Sequence, residues 1–400
     1  MIARQRKVLG RALLTLLALG LALALGEALL RAYERRSLAL ATRLNADPID
    51  LAGLKLNDTT ISRRKPAGEF RLLSFGDSFA YSIMTPPFSY AGQIGSRLTR
   101  ALGRPVRVVN FGEAATTVRD YTAAHAFWAR RIEHDAALFN VYLGNDVLDV
   151  AYGYTPPAWT PNHLYLTREY ALAGGRKKSA VPRKFPLRIL DYAYALYLTR
   201  FQMTQPPSAA ADGRFNRAAR HNLSPAAFLD VNRRQLANFD PAQRESLAPG
   251  YRAIAEFFHY VSSVRRRGTR TLVVLSPNQV QVDRSLRERL AAAYHLDFSL
   301  YDFTLPARTI TTLRDTVDPA IELLDLTPYF VCAAERGEHL YYLTNTHWGP
   351  EGNALAGRLI AAHIERSWFG RTPTDQEDRD AECEEKRDRR AAPLSRSAIR

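Results

Sequence analysis

From Arg71 onward the chain alternates short runs of buried-type apolar residues with longer stretches whose apolar positions recur at helical spacing. This alternation constrains the fold more than any other feature. Arg71-Leu72-Leu73-Ser74-Phe75, Val106-Arg107-Val108-Val109-Asn110, Ala136 to Leu143, Thr271 to Ser276 and Ile321 to Asp325 read as five strands. Ser89 to Leu102, Asp120 to His134, Tyr251 to Arg266 and Pro350 to Trp368 read as helices, the last with proline at its start. Strands interleaved with helices form a parallel sheet covered on both faces. In such a sheet a ligand site lies beyond the carboxyl ends of the strands.

Ahead of this pattern, Val8 to Leu30 carries only two charged residues, Arg11 and Glu27, and Ala12 to Gly26 is uninterrupted apolar sequence. The stretch is long enough to cross a bilayer and shows no polar face. Ala24, Gly26 and Ala28 imitate a cleavage site, but the pattern runs on through Leu29, Leu30, Arg31 and Tyr33, so an uncleaved anchor is expected. Arg4, Arg6, Lys7 and Arg11 precede it, and Arg31, Arg35 and Arg36 follow. With the amino terminus added, the balance favours N-in, C-out, with the bulk of the chain in the periplasm. The expected organisation is a cytoplasmic N-terminus (1–7), a transmembrane anchor (8–30) and a juxtamembrane linker (31–68). An α/β domain (69–370) with an insertion at about 153–230 follows, then a disordered tail (371–400). The tail holds eight basic and eight acidic side chains and almost no large apolar residue.

The net charge of +15 over 400 residues raises nucleic-acid binding as a first idea, and the distribution of charge argues against it. Residues 1–36 hold seven basic and two acidic side chains, and residues 168–220 hold eleven and three. One cluster flanks the apolar run and the other lies in an irregular, Pro- and Ala-rich stretch, so nucleic acid is not expected as a partner. Within that stretch Leu190, Tyr194, Tyr197 and Phe201 recur at helical spacing. They read as a cap helix on the core, with a basic-aromatic surface resting on anionic headgroups as the alternative. Two cysteines make neither a disulfide scaffold nor a zinc site. A Cys332–Cys383 disulfide and two free thiols both remain open.

Phe75-Gly76-Asp77-Ser78-Phe79 stands at the end of the first strand, where a strand-to-helix turn exposes a hydroxyl and aims the Ser78 N–H at a bound oxygen. Alone, Gly-Asp-Ser is also ordinary turn chemistry. It does not stand alone. The second strand ends in Asn110-Phe111-Gly112, where glycine lets a backbone N–H come close to a ligand. The third ends in Leu143-Gly144-Asn145-Asp146, which offers a side-chain amide, and Thr344-Asn345-Thr346-His347 puts a base just before the last helix. A nucleophile, two oxyanion donors and a base thus fall in order at successive carboxyl-edge loops. Asp77 is expected to brace its turn, while Asp146 and Asp149 either do the same or line the cleft. His125 and His134 fall on a helix from which they could reach the surface, and His339 reads as a loop or strand-end residue.

With these motifs in place, the chain resembles the SGNH hydrolases, or GDSL esterases, over roughly residues 69–368. Ser78, Gly112, Asn145 and His347 match the four residues that name the family. The anchor, the insertion and the His347-Trp348-Gly349-Pro350-Glu351-Gly352 run look most like bacterial envelope members, some of which handle O-acetyl groups on polysaccharides. The resemblance implies a flavodoxin-like three-layer α/β/α sandwich with a five-stranded parallel sheet behind one N-terminal transmembrane helix, at the inner membrane and facing the periplasm. It implies a serine esterase with Ser78 as nucleophile, His347 as base and an oxyanion hole of Ser78, Gly112 and Asn145, with no metal or organic cofactor. The implied substrate is an acylated envelope glycan or another small ester, with partners in envelope polysaccharide synthesis. An O-acyltransferase with a sugar acceptor and a binding or assembly protein that lost the reaction are the alternatives. One departure bears on the choice. The family usually has aspartate two or three residues before the histidine, where this chain has Asn345 and Thr344. Asn345 then orients the ring as in Cys-His-Asn proteases, a backbone carbonyl does so, or the site is weakened.

Overall fold

The structure, a computed structural model, describes residues 10–11, 13–32, 55–56, 59–60, 62–81, 84, 86–114, 116–152, 186–187, 189–190, 193 and 223–371. They belong to two units, residues 1–50 with 155–202, and residues 51–154 with 203–400. In the first unit, α1 (Leu13–Ala32) has a mean hydropathy of 2.2 and is exposed along nearly all its length, Glu27 being its one buried residue. It is long and apolar enough to cross a membrane. Of the stretch expected to form a cap helix Leu190 is described, whereas Tyr194, Tyr197 and Phe201 lie outside the described residues. So do most of the juxtamembrane linker and the tail from residue 372.

The second unit is built on a five-stranded sheet of β1 (Phe70–Gly76), β2 (Val106–Asn110), β3 (Ala136–Tyr142), β4 (Arg270–Ser276) and β5 (Glu322–Asp325). The order is β2-β1-β3-β4-β5 with every neighbouring pair parallel. That is the flavodoxin-like order, whose strand sequence reverses at β1 and opens a crevice between β1 and β3 at their carboxyl ends. β1 and β3 are buried along their whole length, so their near-continuous apolar sequence is what a central parallel strand requires.

Alternate strand residues feed two helical layers. Leu72, Leu138, Leu272, Val274 and Leu324 pack under α2 (Tyr90–Leu102), α9 (Thr327–Glu335) and α10 (Pro350–Phe369). Phe75 and Phe139 point the other way, toward His125 on α3 (Val118–Trp128) and Phe257 on α6 (Arg244–Arg266). The result is a three-layer α/β/α sandwich. Ser89 caps α2 by accepting the Gly92 N–H at 3.1 Å, and Gly103 ends that helix in the left-handed region at φ 62. α2 and α10 are joined directly. The Tyr90 N–H donates to Asn353 Oδ1 at 3.0 Å, and a Cβ on Gly357 would lie 2.4 Å from that of Gln93.

At the amino end of the sheet, Arg71 is 1% exposed and donates through Nε to Glu69 Oε1 at 2.7 Å. Its Nη1 reaches the Ser62 carbonyl at 2.8 Å, so one buried guanidinium fastens the chain leading into β1. Four helices go beyond the sequence expectation: α5 (Pro225–Gln235), α7 (Arg284–Tyr294), α8 (Leu305–Val317) and α9. A fifth, short α4 (Asp146–Ala151), follows β3. α6 starts at Arg244 rather than Tyr251 and carries Pro249 inside its first turns, while α3 stops at Trp128, short of His134.

Candidate active site

β1 ends at Gly76, and Ser78 opens a single helical turn that runs to Tyr81. Asp77 makes the turn: Oδ1 accepts the Phe79 N–H at 2.9 Å, and its carbonyl accepts the Tyr81 N–H at 2.9 Å. Ser78 itself is half-buried. A Cβ on Gly112 would sit 2.1 Å from the Tyr81 nitrogen, so the backbone after β2 presses directly against the Ser78 turn and only glycine fits there. Asn110 couples the two: Nδ2 donates to the Ala80 carbonyl at 2.6 Å, and Oδ1 accepts the Gly112 N–H at 2.9 Å. The Gly112 N–H therefore already has an acceptor, which differs from the open donor that the sequence suggests.

Asn145 follows β3 and stands at the start of α4, where its carbonyl accepts the Asp149 N–H at 2.7 Å. Its Oδ1 is buried without a hydrogen-bond partner among the described residues. The loop is held from behind by residues remote in sequence. Asn238 Nδ2 donates to the Gly144 carbonyl at 2.8 Å. Asn278 Nδ2 donates to Tyr142 Oη at 2.9 Å and to Gln235 Oε1 at 2.6 Å.

His347 lies beside the Ser78 turn. Its ring centroid is 5.1 Å from that of Phe79, which also stacks on Tyr142 at 4.0 Å and meets Trp348 edge-on at 5.1 Å. His347 Nδ1 is 2.6 Å from Asn345 Oδ1, and the same oxygen accepts the His347 backbone N–H at 3.1 Å. Because a backbone N–H can only donate, the atom facing the ring is the amide oxygen. The ring proton then sits on Nδ1, and Nε2 carries the lone pair. Asn345 is 1% exposed, and its Nδ2 has no partner among the described residues. The Leu223 N–H donates to the Thr344 carbonyl at 2.9 Å, which ties the start of α5 to the histidine loop.

Three carboxyls underlie the crevice. Burial pushes Asp77 up to about 7, with Asp149 adding to the rise. Burial also pushes Asp149 up to about 7, and it raises Asp146 well above the usual carboxylate range with help from Asp77. Asp146 accepts from Tyr121 Oη and from the Tyr142 N–H, each at 2.8 Å, which fixes the end of β3. Asp77 and Asp146 thus hold backbone. His125 does not reach the surface: it is 2% exposed, its Nδ1 is 2.8 Å from Tyr260 Oη, and burial drives its pKa down to about 3. His134 is tied locally, with Nδ1 2.8 Å from the Ile132 carbonyl. Cys332 is in a disulfide, and its expected partner Cys383 lies outside the described residues. Among the described residues no group of three His, Cys, Asp or Glu could hold a metal ion. Sequence reading missed Asn110, Asn238 and Asn278.

The flavodoxin-like sheet thus brings Ser78, Gly112, Asn145 and His347 to loops at its carboxyl edge. Residues 238–392, which include His347 but not Ser78, match the family described as SGNH hydrolase-like domain, acetyltransferase AlgX. Among curated protein sequences none matches the chain. Solved structures similar to it include a two-domain esterase (CEX) active on acetylated mannans, at 10% identity and TM-score 0.35. That match covers 77% of this chain and 52% of the esterase, about half its length. The acetyl xylan esterase AlAXEase matches at 9% identity and TM-score 0.37, over 74% of this chain and all (100%) of the other. A lipase/acylhydrolase from Enterococcus faecalis matches at 14% identity and TM-score 0.34, over 77% and 99% of the two chains.

Proposed function

We propose that this chain is an SGNH-type serine esterase, held at the inner membrane by its N-terminal helix, that removes small acyl groups such as acetyl from an envelope glycan in the periplasm. The observation that carries the reading is the 2.6 Å contact between Asn345 Oδ1 and His347 Nδ1 beside the Ser78 turn. It leaves Nε2 as a base. Ser78 Oγ attacks the ester carbonyl while His347 Nε2 takes the hydroxyl proton. The tetrahedral oxyanion is met by the Ser78 N–H and the Asn145 amide, each worth about 3 kcal/mol by analogy with other oxyanion donors. The Gly112 N–H joins them only by exchanging Asn110 Oδ1 for the oxyanion. Collapse expels the alcohol, which takes the proton back from His347, and leaves an acyl-Ser78 ester. Water then attacks that ester and gives a proton to His347, and collapse releases the acid as Ser78 Oγ takes that proton back. No metal or organic cofactor enters any step.

A fluorophosphonate probe and p-nitrophenyl acetate test this on the full-length protein in detergent. Labelling at Ser78 and turnover, both abolished by Ser78→Ala, are expected. Absence of both in folded protein refutes the hydrolase and leaves a binding module that kept the fold. A second reading, acyl transfer in which a sugar hydroxyl takes the place of water, is favoured by the acetyltransferase in the matched family's description. Adding oligosaccharide acceptors and weighing the products by mass spectrometry separates it from hydrolysis.

A further inference from the structure

Glu27 is an anomaly in an apolar helix. An unpaired carboxylate within a bilayer-spanning segment costs several kcal/mol, so such residues are found engaged with a partner. Glu27 is 9% exposed, whereas Leu23, Leu25 and Leu29 around it are 45%, 61% and 61% exposed. Arg31, one turn further along α1, donates through Nε to Glu27 Oε1 at 2.6 Å. The other carboxylate oxygen accepts the Ile189 N–H at 3.0 Å, and Arg31 Nη2 reaches the Pro186 carbonyl at 3.3 Å. Gly26 leaves room for this approach, since a Cβ there would lie 3.3 Å from Ile189 Cδ1. Both charges are therefore spent on holding residues 186–189 of the insertion against the carboxyl third of α1.

The held segment does not bury its other apolar side chains. Leu187 and Leu190 remain 43% and 46% exposed, next to a helix whose own leucines face outward. The surrounding sequence has the composition of a membrane interface, with Arg183, Lys184, Arg188 and Arg200 among Tyr192, Tyr194, Tyr197 and Phe201. We propose that the segment carrying Leu187 and Leu190 is a second membrane contact, clamped to the outer end of α1 by Glu27 and Arg31 and seated in the interfacial layer of a bilayer containing anionic lipid. Two observations select lipid as the occupant. Leu187 and Leu190 stay exposed on a segment bonded to a helix whose own leucines are exposed, and the cations near them in the sequence match anionic headgroups. The inference rests on α1 spanning the bilayer.

Full-length protein in vesicles of phosphatidylethanolamine and phosphatidylglycerol tests it. Spin labels are placed singly at Leu190→Cys, at Leu21→Cys within α1, and at Leu300→Cys in the sheet unit, without reductant so that Cys332 stays blocked. The label at 190 is expected to follow the label at 21, relaxing severalfold faster with oxygen than with a water-soluble nickel chelate, while the label at 300 shows the reverse. Oxygen access at 21 with nickel access at 190 overturns the second contact and leaves the anchor standing. Nickel access at both positions overturns the anchor itself. Adding Glu27→Ala to the 190-labelled protein shifts that label severalfold toward nickel, and Glu27→Gln, which keeps an acceptor oxygen, restores it. A label at 190 indifferent to Glu27→Ala refutes the clamp.

Discussion

At Asn345 an amide stands where a carboxylate would both orient the imidazole and balance the charge it acquires when Ser78 attacks. The geometry supplies orientation through Oδ1 and no counter-charge. Asn345→Asp is therefore expected to raise kcat at least about tenfold, toward the ~10⁴ that separates the two residues in a serine protease. Steady-state hydrolysis of p-nitrophenyl acetate reads this directly, and Thr344→Asp serves as the neighbouring control expected to do nothing. Asn110 offers a second measurement at this scale. It binds the Ala80 carbonyl and the Gly112 N–H together, so Asn110→Ala loosens the Ser78 turn while freeing a donor. Loss of position outweighs the freed N–H, and kcat is expected to fall by about 10²-fold with KM little changed. An unchanged kcat in correctly folded protein would show that the turn is held by Asp77 alone.

α5 and the turn after it form the element that braces the crevice from outside the sheet. Leu223 holds the histidine loop, Gln235 holds Asn278, and Asn238 holds Gly144. Asn238→Ala is expected to lower kcat about tenfold through a misplaced Asn145, and Asn238→Asp, which lacks the N–H donor, should behave alike. Parallel KM measurements separate this from lost substrate affinity. None of these braces was legible in the sequence, because Asn238 and Gly144 are 94 residues apart and nothing local marks an asparagine that will bond to a distant carbonyl. The strands were legible because a central parallel strand must be apolar on both faces, as Leu72, Leu73 and Phe75 are. α8 was not, since Pro306 reads as a breaker until it is seen to occupy the first turn, where a missing N–H costs nothing. Pro249 masked the true start of α6 in the same way. Asn345 could be singled out because its role depends on a residue two positions away.

For the whole molecule, two buried ionic features set how stability responds to conditions. His125 is held neutral among Tyr260, His134 and Arg267, with its pKa lowered from 6.5 to about 3. The unfolded chain therefore takes a proton that the folded chain refuses, and stability falls as pH drops below 6.5. Urea midpoints at about pH 7 and about pH 5 should show a loss of roughly 2 kcal/mol more in the wild type than in His125→Gln. Equal losses would mean that His125 is hydrated in solution. Arg71→Met, which leaves Glu69 with Arg107 alone at 3.1 Å, is expected to cost about 1.5–3 kcal/mol in the same assay. The bond between Tyr90 and Asn353 joins residues 263 positions apart, and so dictates a timetable. Tyr90 leaves the ribosome early, yet α2 gains this partner only when α10, made 263 residues later, docks on it. A product truncated before residue 350 lacks α10, one of the three helices on that face of the sheet, and leaves the apolar residues beneath it uncovered, a state that cells recognise and degrade.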